Sequence, residues 1–354
     1  VWLMLLGVGA WGCCTLLLGL VSSFMWMALL RAVNGVALAM LLPVTQSFVM
    51  DLSPKEERGY MFGCLYFCAN LGQVLSCLFV TPMSNEDVRG IAGWRVAMLV
   101  IGVVSILASF LVPIMVKEQE RRVWHPERFG ASREFAKLLC FLGIPTFGVI
   151  LLQGVFGTIP GAALSFTTMY FQYAGISDTM VALINALRIL GDAVGGLLGG
   201  MVGDALATWS PRYGRALTAQ VSVIACIPLT YMIFLGLPRT EQSWATYGGL
   251  LFLHGLVGSW VAPGCICPVM CDIVPKRCLA SAYAWELAIV FASGNTLGPV
   301  LVGAMSEELF GYHLSTEQVA DMPSDVRDRN ADALGMSVLF ASIVPYTACA
   351  ILMS

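Results

Sequence analysis

Charge is what this chain has least of. Only 12% of its 354 residues are Asp, Glu, Lys or Arg, against roughly 25% in a soluble domain, which excludes a water-solvated globule. Chemistry-bearing spacings are missing as well. The 12 cysteines form no C-x-x-C pair and no Cys/His group at metal-ligand spacing. The tightest set, Cys265, Cys267 and Cys271, lies inside an apolar run, where thiols pack as small hydrophobes. No nucleophile triad or phosphate-binding loop stands out, and no loop gathers catalytic residues. An enzyme, a cofactor, a metal and a nucleic-acid partner are therefore not expected. There is no N-x-S/T sequon, and no basic segment or cleavage site marks the first apolar run as a signal peptide.

What the chain has in abundance is apolar length, with 58% hydrophobic residues. Ten runs, at 1–20, 24–50, 59–81, 93–116, 139–171, 177–203, 215–237, 244–271, 279–305 and 333–354, approach or exceed the roughly 20 residues a helix needs to cross a bilayer. In lipid each span must satisfy its own backbone, so the spans are helices. The expected fold is an all-α, multi-pass membrane protein with the bilayer as its solvent.

Lysine and arginine orient it. Lys55, Arg58, Lys117, Arg121, Arg122, Arg128, Arg133, Lys137, Arg212, Arg215, Lys276 and Arg277 fall in one alternating set of loops. The opposite set holds Arg89, Arg95, Arg239, Arg327 and Arg329, with the acids Glu307, Glu308, Glu317, Asp321, Asp325, Asp328 and Asp332. The basic set is expected to face the cytoplasm. The longest basic loop divides the chain into an N-terminal half, 1–116, with four spans, a cytoplasmic linker, 117–138, and a C-terminal half, 139–354, with six. The linker, with Trp124, reads either as an amphipathic segment on the anionic inner leaflet or as a solvated connection.

One loop pattern occurs twice. "DLSPK" at Asp51–Lys55 returns as "DIVPK" at Asp272–Lys276, and Asn34-Gly35 upstream of the first is matched by His254-Gly255 upstream of the second. Two hairpins built alike suggest two homologous halves, an arrangement of secondary transporters that hold solute between their repeats. Chance likeness of two membrane hairpins is the alternative.

The residues that carry a family resemblance are "RAVNGVALA" (Arg31–Ala39), "DLSPKEERG" (Asp51–Gly59), "GWR" (Gly93–Arg95), and "GGMVGD" followed by "YGRAL". Together they resemble the major facilitator superfamily: its fourth-span R-x-x-x-G signature, the loop after it, the start of its sixth span, and its G-x-x-x-D-x-x-G-R hinge, here Gly200, Asp204, Gly214 and Arg215. The resemblance implies a two-half helical bundle acting as a monomer, with spans three to twelve of twelve present and two upstream of Val1. Nine residues separate Asp204 from Gly214, where the family pattern has two. "GNTLGPVLVG" (Gly294–Gly303) resembles an antiporter signature but falls in a different span, so antiport is not inferred. As inner gating hinges the resemblance points to Asp51, Arg58, Gly200, Asp204, Gly214, Arg215, Asp272 and Arg277. Asp204 is expected to pair with Arg212 or Arg215, Asp51 with Arg58, and Asp272 with Arg277.

Four charges lie within the spans: Arg31, Arg188, Asp192 and Glu286. Each is costly in lipid and needs a cavity or a partner. Arg188 and Asp192 stand four apart and share a helix face; the pair reads equally as structural or as a proton or substrate site. Arg31 suits an anionic group. His254 reads as a titrating group or as a packed, hydrogen-bonded one. Asn34, Gln73, Gln153 and Asn185 are substrate-contact or interhelical candidates, as is Asn295. The glycine pairs Gly195/Gly199 and Gly196/Gly200 read as close helix contacts. The functional expectation is alternating-access transport of a small organic solute, anionic or amphipathic, with protons through Asp192 or Glu286 as a candidate coupling ion. A ligand sensor on a transporter fold is the second reading, and an ion channel is disfavoured because no filter pattern repeats.

Overall fold

The computed structural model describes residues 2–84, 87–88, 90–115, 130–314, 319 and 322–354. Most of the linker, 117–129 with Trp124, lies outside the described residues, as do Arg89, Glu317 and Asp321. Among the described residues, ten helices are long and apolar enough to cross a membrane. In chain order the helices are α1 (Trp2–Leu20), α2 (Phe24–Leu52), α3 (Arg58–Ser84), α4 (Gly93–Met115), α5 (Ala131–Leu142), α6 (Pro145–Ala163), α7 (Thr167–Tyr173), α8 (Asp178–Trp209), α9 (Gly214–Leu235), α10 (Trp244–Gly258), α11 (Cys267–Ile273), α12 (Leu279–Ala304) and α13 (Ser324–Leu352). A two-stranded antiparallel pair, β1 (Asp87–Val88) and β2 (Ile91–Ala92), joins α3 to α4 with Val88 opposite Ile91.

Two boundaries differ from the expectation for physical reasons. The run expected to cross at 139–171 starts later: α5 ends at Leu142, and the membrane-length stretch is Pro145–Tyr173, made of α6 and α7. Pro145 occupies the first turn of α6 behind an extended Ile144, a geometry that starts a helix and cannot continue one. The last span begins at Ser324 rather than 333. Pro323 is extended in front of it, and Asp325 in its first turn complements the helix dipole, so Asp325, Asp328 and Asp332 belong to the helix.

The described residues form two compact units. One holds residues 1–52, 75–140 and 275–284; the other holds 53–74, 141–274 and 285–354. In the first, α1 packs on α2 and α4. A Cβ on Gly102 would lie 2.7 Å from the backbone nitrogen of Leu16, so the α1–α4 approach needs glycine. Arg95 of the "GWR" stretch donates to the carbonyls of Gly19 and Val21 at 3.1 and 3.2 Å. It thereby closes the C-terminal end of α1, whose last carbonyls lack intrahelical partners, with its cation at the negative end of the dipole.

In the second unit α8 is the central strut. It packs on α10, α9 and the irregular turn Ala262–Ile266, and α13 packs on α6 and α9. An aromatic cluster of Tyr170, Phe171, Phe234 and Tyr247, all fully buried, fills the end carrying the acidic loops, with ring centroids 5.0–6.5 Å apart. There Arg239 pairs with Asp332, and the Tyr312 and Tyr173 hydroxyls share a 2.6 Å hydrogen bond. Burial first, and that bond second, hold Tyr312 above the ordinary phenol range.

Candidate functional site

Most of the residues singled out in the sequence gather at two levels of the second unit, its basic end and its middle, while Arg31, Asn34, Asp51 and Arg277 lie in the first. At the basic end α3 and α8 cross almost backbone to backbone. A Cβ on Gly200 would stand 2.0 Å from the Gly59 carbonyl oxygen, and one on Gly63 would stand 2.8 Å from that of Gly196. Two G-x-x-x-G pairs, Gly59/Gly63 and Gly196/Gly200, thus face each other. A second stripe on α8 serves α10 and the turn after it. Cβ atoms on Gly191, Gly195, Gly199 and Gly203 would lie 2.2–2.5 Å from atoms of Phe252, Leu256, Trp260 and Gly264. The sequence reading found half of this. Gly195/Gly199 and Gly196/Gly200 were read as close contacts, while Gly191, Gly203 and Gly59/Gly63 were not, and a single helix gives no sign that it will serve two partners.

The crossing places Asp204 against the start of α3. Its carboxylate accepts from the backbone N–H of Gly59 at 2.9 Å and of Tyr60 at 2.7 Å, satisfying two otherwise orphan donors at the positive end of the helix dipole. The same carboxylate takes the Arg215 guanidinium at 2.9 Å, and Arg215 also donates to the Gly264 carbonyl at 3.1 Å. Asp204 and Arg215 side chains are only 12% and 14% exposed, so this pair is screened far less than a surface one. The nine intervening residues do not loosen it. α8 runs on as helix to Trp209, and Gly214 fits against the Leu206 carbonyl, where a Cβ would stand 2.0 Å away. Of the two arginines offered, Arg215 is the partner.

The other hinge charges pair across the repeat. Arg58 reaches Asp272 at 2.8 Å, and Lys55 approaches the same oxygen at 3.6 Å. The expectation of Asp51 with Arg58 and Asp272 with Arg277 is corrected accordingly. Arg58, at the start of α3, is carried to the end of α11 by the glycine crossing, whereas Arg277 is exposed on the 3-10 turn Lys276–Cys278. Asp51 is half-buried in the last turn of α2. A cavity of about 610 Å³ opens beside these groups, lined by Lys55, Asp204, Arg212, Arg215 and Asp272 above an apolar floor that includes Val149, Ile150 and Val269.

In the middle of the unit Arg188 pairs with Asp192 at 2.8 Å, each about a quarter exposed. The Asp192 carboxylate nestles at Gly255, where a Cβ would stand 2.9 Å from its oxygen. The neighbouring His254, 4% exposed, shares a 3.3 Å hydrogen bond with the Tyr346 hydroxyl of α13. Gln153 is buried against Cys349, whose thiol donates to its carbonyl at 3.4 Å, and Asn185 donates to Thr168 at 3.1 Å. Glu286 of α12 is buried, with no hydrogen bond or ion pair to any described residue. In the other unit, Asn34 is buried and donates to the Thr15 hydroxyl at 3.0 Å and the Trp11 carbonyl at 3.3 Å. Arg31 lines a pocket of about 310 Å³ with Leu18, Phe24, Met27, Trp94 and Met98. Gln73 is exposed on α3. The Gly294/Gly298 pair has a packing role. Those glycines admit Thr158 and Ala162 of α6, at 1.7 and 2.6 Å from the Cβ atoms that alanine would add.

Three comparisons bear on this arrangement. The chain is 23% identical to "Protein spinster" of Drosophila melanogaster over 88% of its own length, and spans about half (52%) of that protein. It is 25% identical to the "Probable sulfoacetate transporter SauU" of Cupriavidus necator, covering 88% of this chain and 71% of the relative. Its fold matches the crystal structure of a bacterial homolog of the human lysosomal transporter spinster, in an inward-facing, occupied conformation. The TM-score is 0.64 at 23% identity, over 100% of this chain and 81% of the other. The Major Facilitator Superfamily matches residues 1–299. With ten membrane-length helices and that match, the chain is an integral multi-pass membrane protein, not an enzyme, and it belongs to the Major Facilitator Superfamily.

Proposed function

We propose that this chain is a secondary transporter that moves a small organic anion across a membrane by alternating access. The observation that carries the reading is the latch at the basic end. Asp204 caps α3 and holds Arg215, while Arg58 of α3 holds Asp272. The polar contacts of this latch are reversible hydrogen bonds and ion pairs at a glycine-smooth crossing, so they can be broken when α3 leaves α8 and α11. In this reading the two halves are 1–116 and 139–354, joined by the linker, and the latch is closed when the cytoplasmic side is closed.

Arg31 and Arg188 supply the positive charge for an anion, and the likeness to the probable sulfoacetate transporter of Cupriavidus necator supports that class. Asn185 and Gln73 are the polar solute contacts in this reading. Asn34, Gln153 and His254 act as interhelical ties that hold the surrounding helices in register. A proton is the coupling ion, carried by Asp192 or Glu286, and the transporter works as a monomer. The test is counterflow of labelled sulfoacetate in proteoliposomes, with other small organic anions as competitors. Exchange that an Asp204→Asn variant slows at least tenfold supports the reading. Saturable binding without exchange makes the protein a sensor instead.

A further inference from the structure

The two intramembrane acids differ in what surrounds them. Asp192 has its counter-charge on its own helix, Arg188 at 2.8 Å. Glu286 has none. It stands seven residues along α12, roughly 10 Å from the helix start, is 9% exposed, and forms no hydrogen bond or ion pair with any described residue. The Cys267 thiol of α11 is near enough to feel its charge, and that sulfur lies 3.9 Å from the Tyr66 hydroxyl of α3. Cys265 and Cys271 lie two and four residues from Cys267, and Tyr283 stands three residues back on α12 itself. No cation is among these groups. Burying a carboxylate without a cation costs far more than burying the neutral acid.

Tyr66 and Cys267 ride on the elements the latch joins. Tyr66 is on α3, whose first residues are held by Asp204 and Asp272. Cys267 is on α11, five residues from Asp272, about 7.5 Å along the helix. On the transport reading, opening the latch would part Tyr66 from Cys267 and admit water to the acid near that thiol.

We propose that Glu286 is the proton-binding group of this protein, protonated while α3 is latched to α8 and α11 and deprotonated when the latch opens. The O–H bond of the carboxyl breaks, the proton passes to water, and the carboxylate left behind is hydrated by the water that entered. Coupling of this proton to solute movement rests on the transport reading; the proton site itself does not.

The test uses the full chain in nanodiscs and pH-difference infrared spectroscopy, which needs no solute. The wild type and Asp192→Asn should show a titrating C=O band of a buried protonated carboxyl, and Glu286→Gln should lack it. A band that survives Glu286→Gln, or vanishes in Asp192→Asn, overturns the proposal. Should the glutamine variant fail to fold, Glu286→Asp keeps the acid and must move the band rather than leave it in place. In proteoliposomes with sulfoacetate as the probe, Glu286→Gln should lose at least tenfold in pH-gradient-driven accumulation; unchanged accumulation overturns the coupling role. No exchange by the wild type, with the infrared band intact, sinks the transport reading and leaves the proton site standing.

Discussion

The two copies of the repeated hairpin are built alike and charged differently. Asn34 and His254 hold matching places, each 4% exposed, and each ties its helix to a neighbour through a side-chain hydrogen bond. Downstream the parts are exchanged. The first copy supplies the bases, Lys55 and Arg58, and the second supplies the acid they meet, Asp272. A repeat thus preserves the packing job of a position while its ionic partner is free to lie in the other copy. The copies also differ in tightness: nothing stands within 4 Å of a Cβ on Gly35, whereas one on Gly255 would lie 2.5 Å from the Arg188 carbonyl.

That last contrast should break most sharply. Gly255→Ala must push α10 away from α8, an overpacking cost of about 3 kcal/mol or more, and should abolish a cooperative melt in detergent. Gly35→Ala meets open space and gains about 1 kcal/mol of helix propensity, so its melting temperature should hold or rise. Equal losses at both positions would mean that the asymmetry between the copies is not real.

Next in size is the latch. Asp204→Asn keeps the shape of the side chain and removes its charge, weakening the caps on Gly59 and Tyr60 and leaving Arg215 without its carboxylate. The expected loss is about 2 kcal/mol, by the scale of buried charge-assisted hydrogen bonds. Arg215→Gln should cost a similar amount, and the double variant should cost much less than the sum. Additive losses would place the two residues in separate jobs.

How much of this was legible beforehand follows from the range over which each signal acts. The spans, their number and the placement of Asp204, Arg188 and Asp192 were readable because apolar length and i, i+4 spacing are local. The start of α13 was missed because polar residues such as Asp325 and Asp328 look like loop until a cap fixes the helix ahead of the apolar run. The Arg58–Asp272 pair was misassigned because proximity in sequence favoured Asp51 and Arg277, and only the α3–α8 glycine crossing decides otherwise. Tyr346 as the partner of His254 carried no signal at all, since one phenol in an apolar helix looks like any other.

A smaller effect sharpens the Asn34–His254 comparison. His254→Asn turns the second copy into the first. Asparagine is shorter and cannot reach the Tyr346 hydroxyl from the same backbone, so a buried phenol loses its 3.3 Å partner, at about 1–2 kcal/mol. Tyr346→Phe in that background should recover part of the loss. No recovery would mean that the histidine ring contributes through its volume alone.

The smallest effect is expected at the exchanged pair. Asp272 is 39% exposed and Lys55 69%, whereas Arg58 is only 12% exposed. Lys55→Ala should therefore fall within about 0.5 kcal/mol of the wild type, because a loosely held exposed pair is worth little. Asp272→Asn should cost more, near 1 kcal/mol, because Arg58 is then left buried with its charge uncompensated, and its Nε already lacks a hydrogen-bond partner. The discriminating measurement is salt dependence. The Arg58–Asp272 contribution, taken from a double-mutant cycle of Arg58→Gln and Asp272→Asn, should persist at high ionic strength, while the Lys55 contribution should vanish. If both vanish together, the first copy holds the second only by surface attraction, and the latch reduces to Asp204 and Arg215.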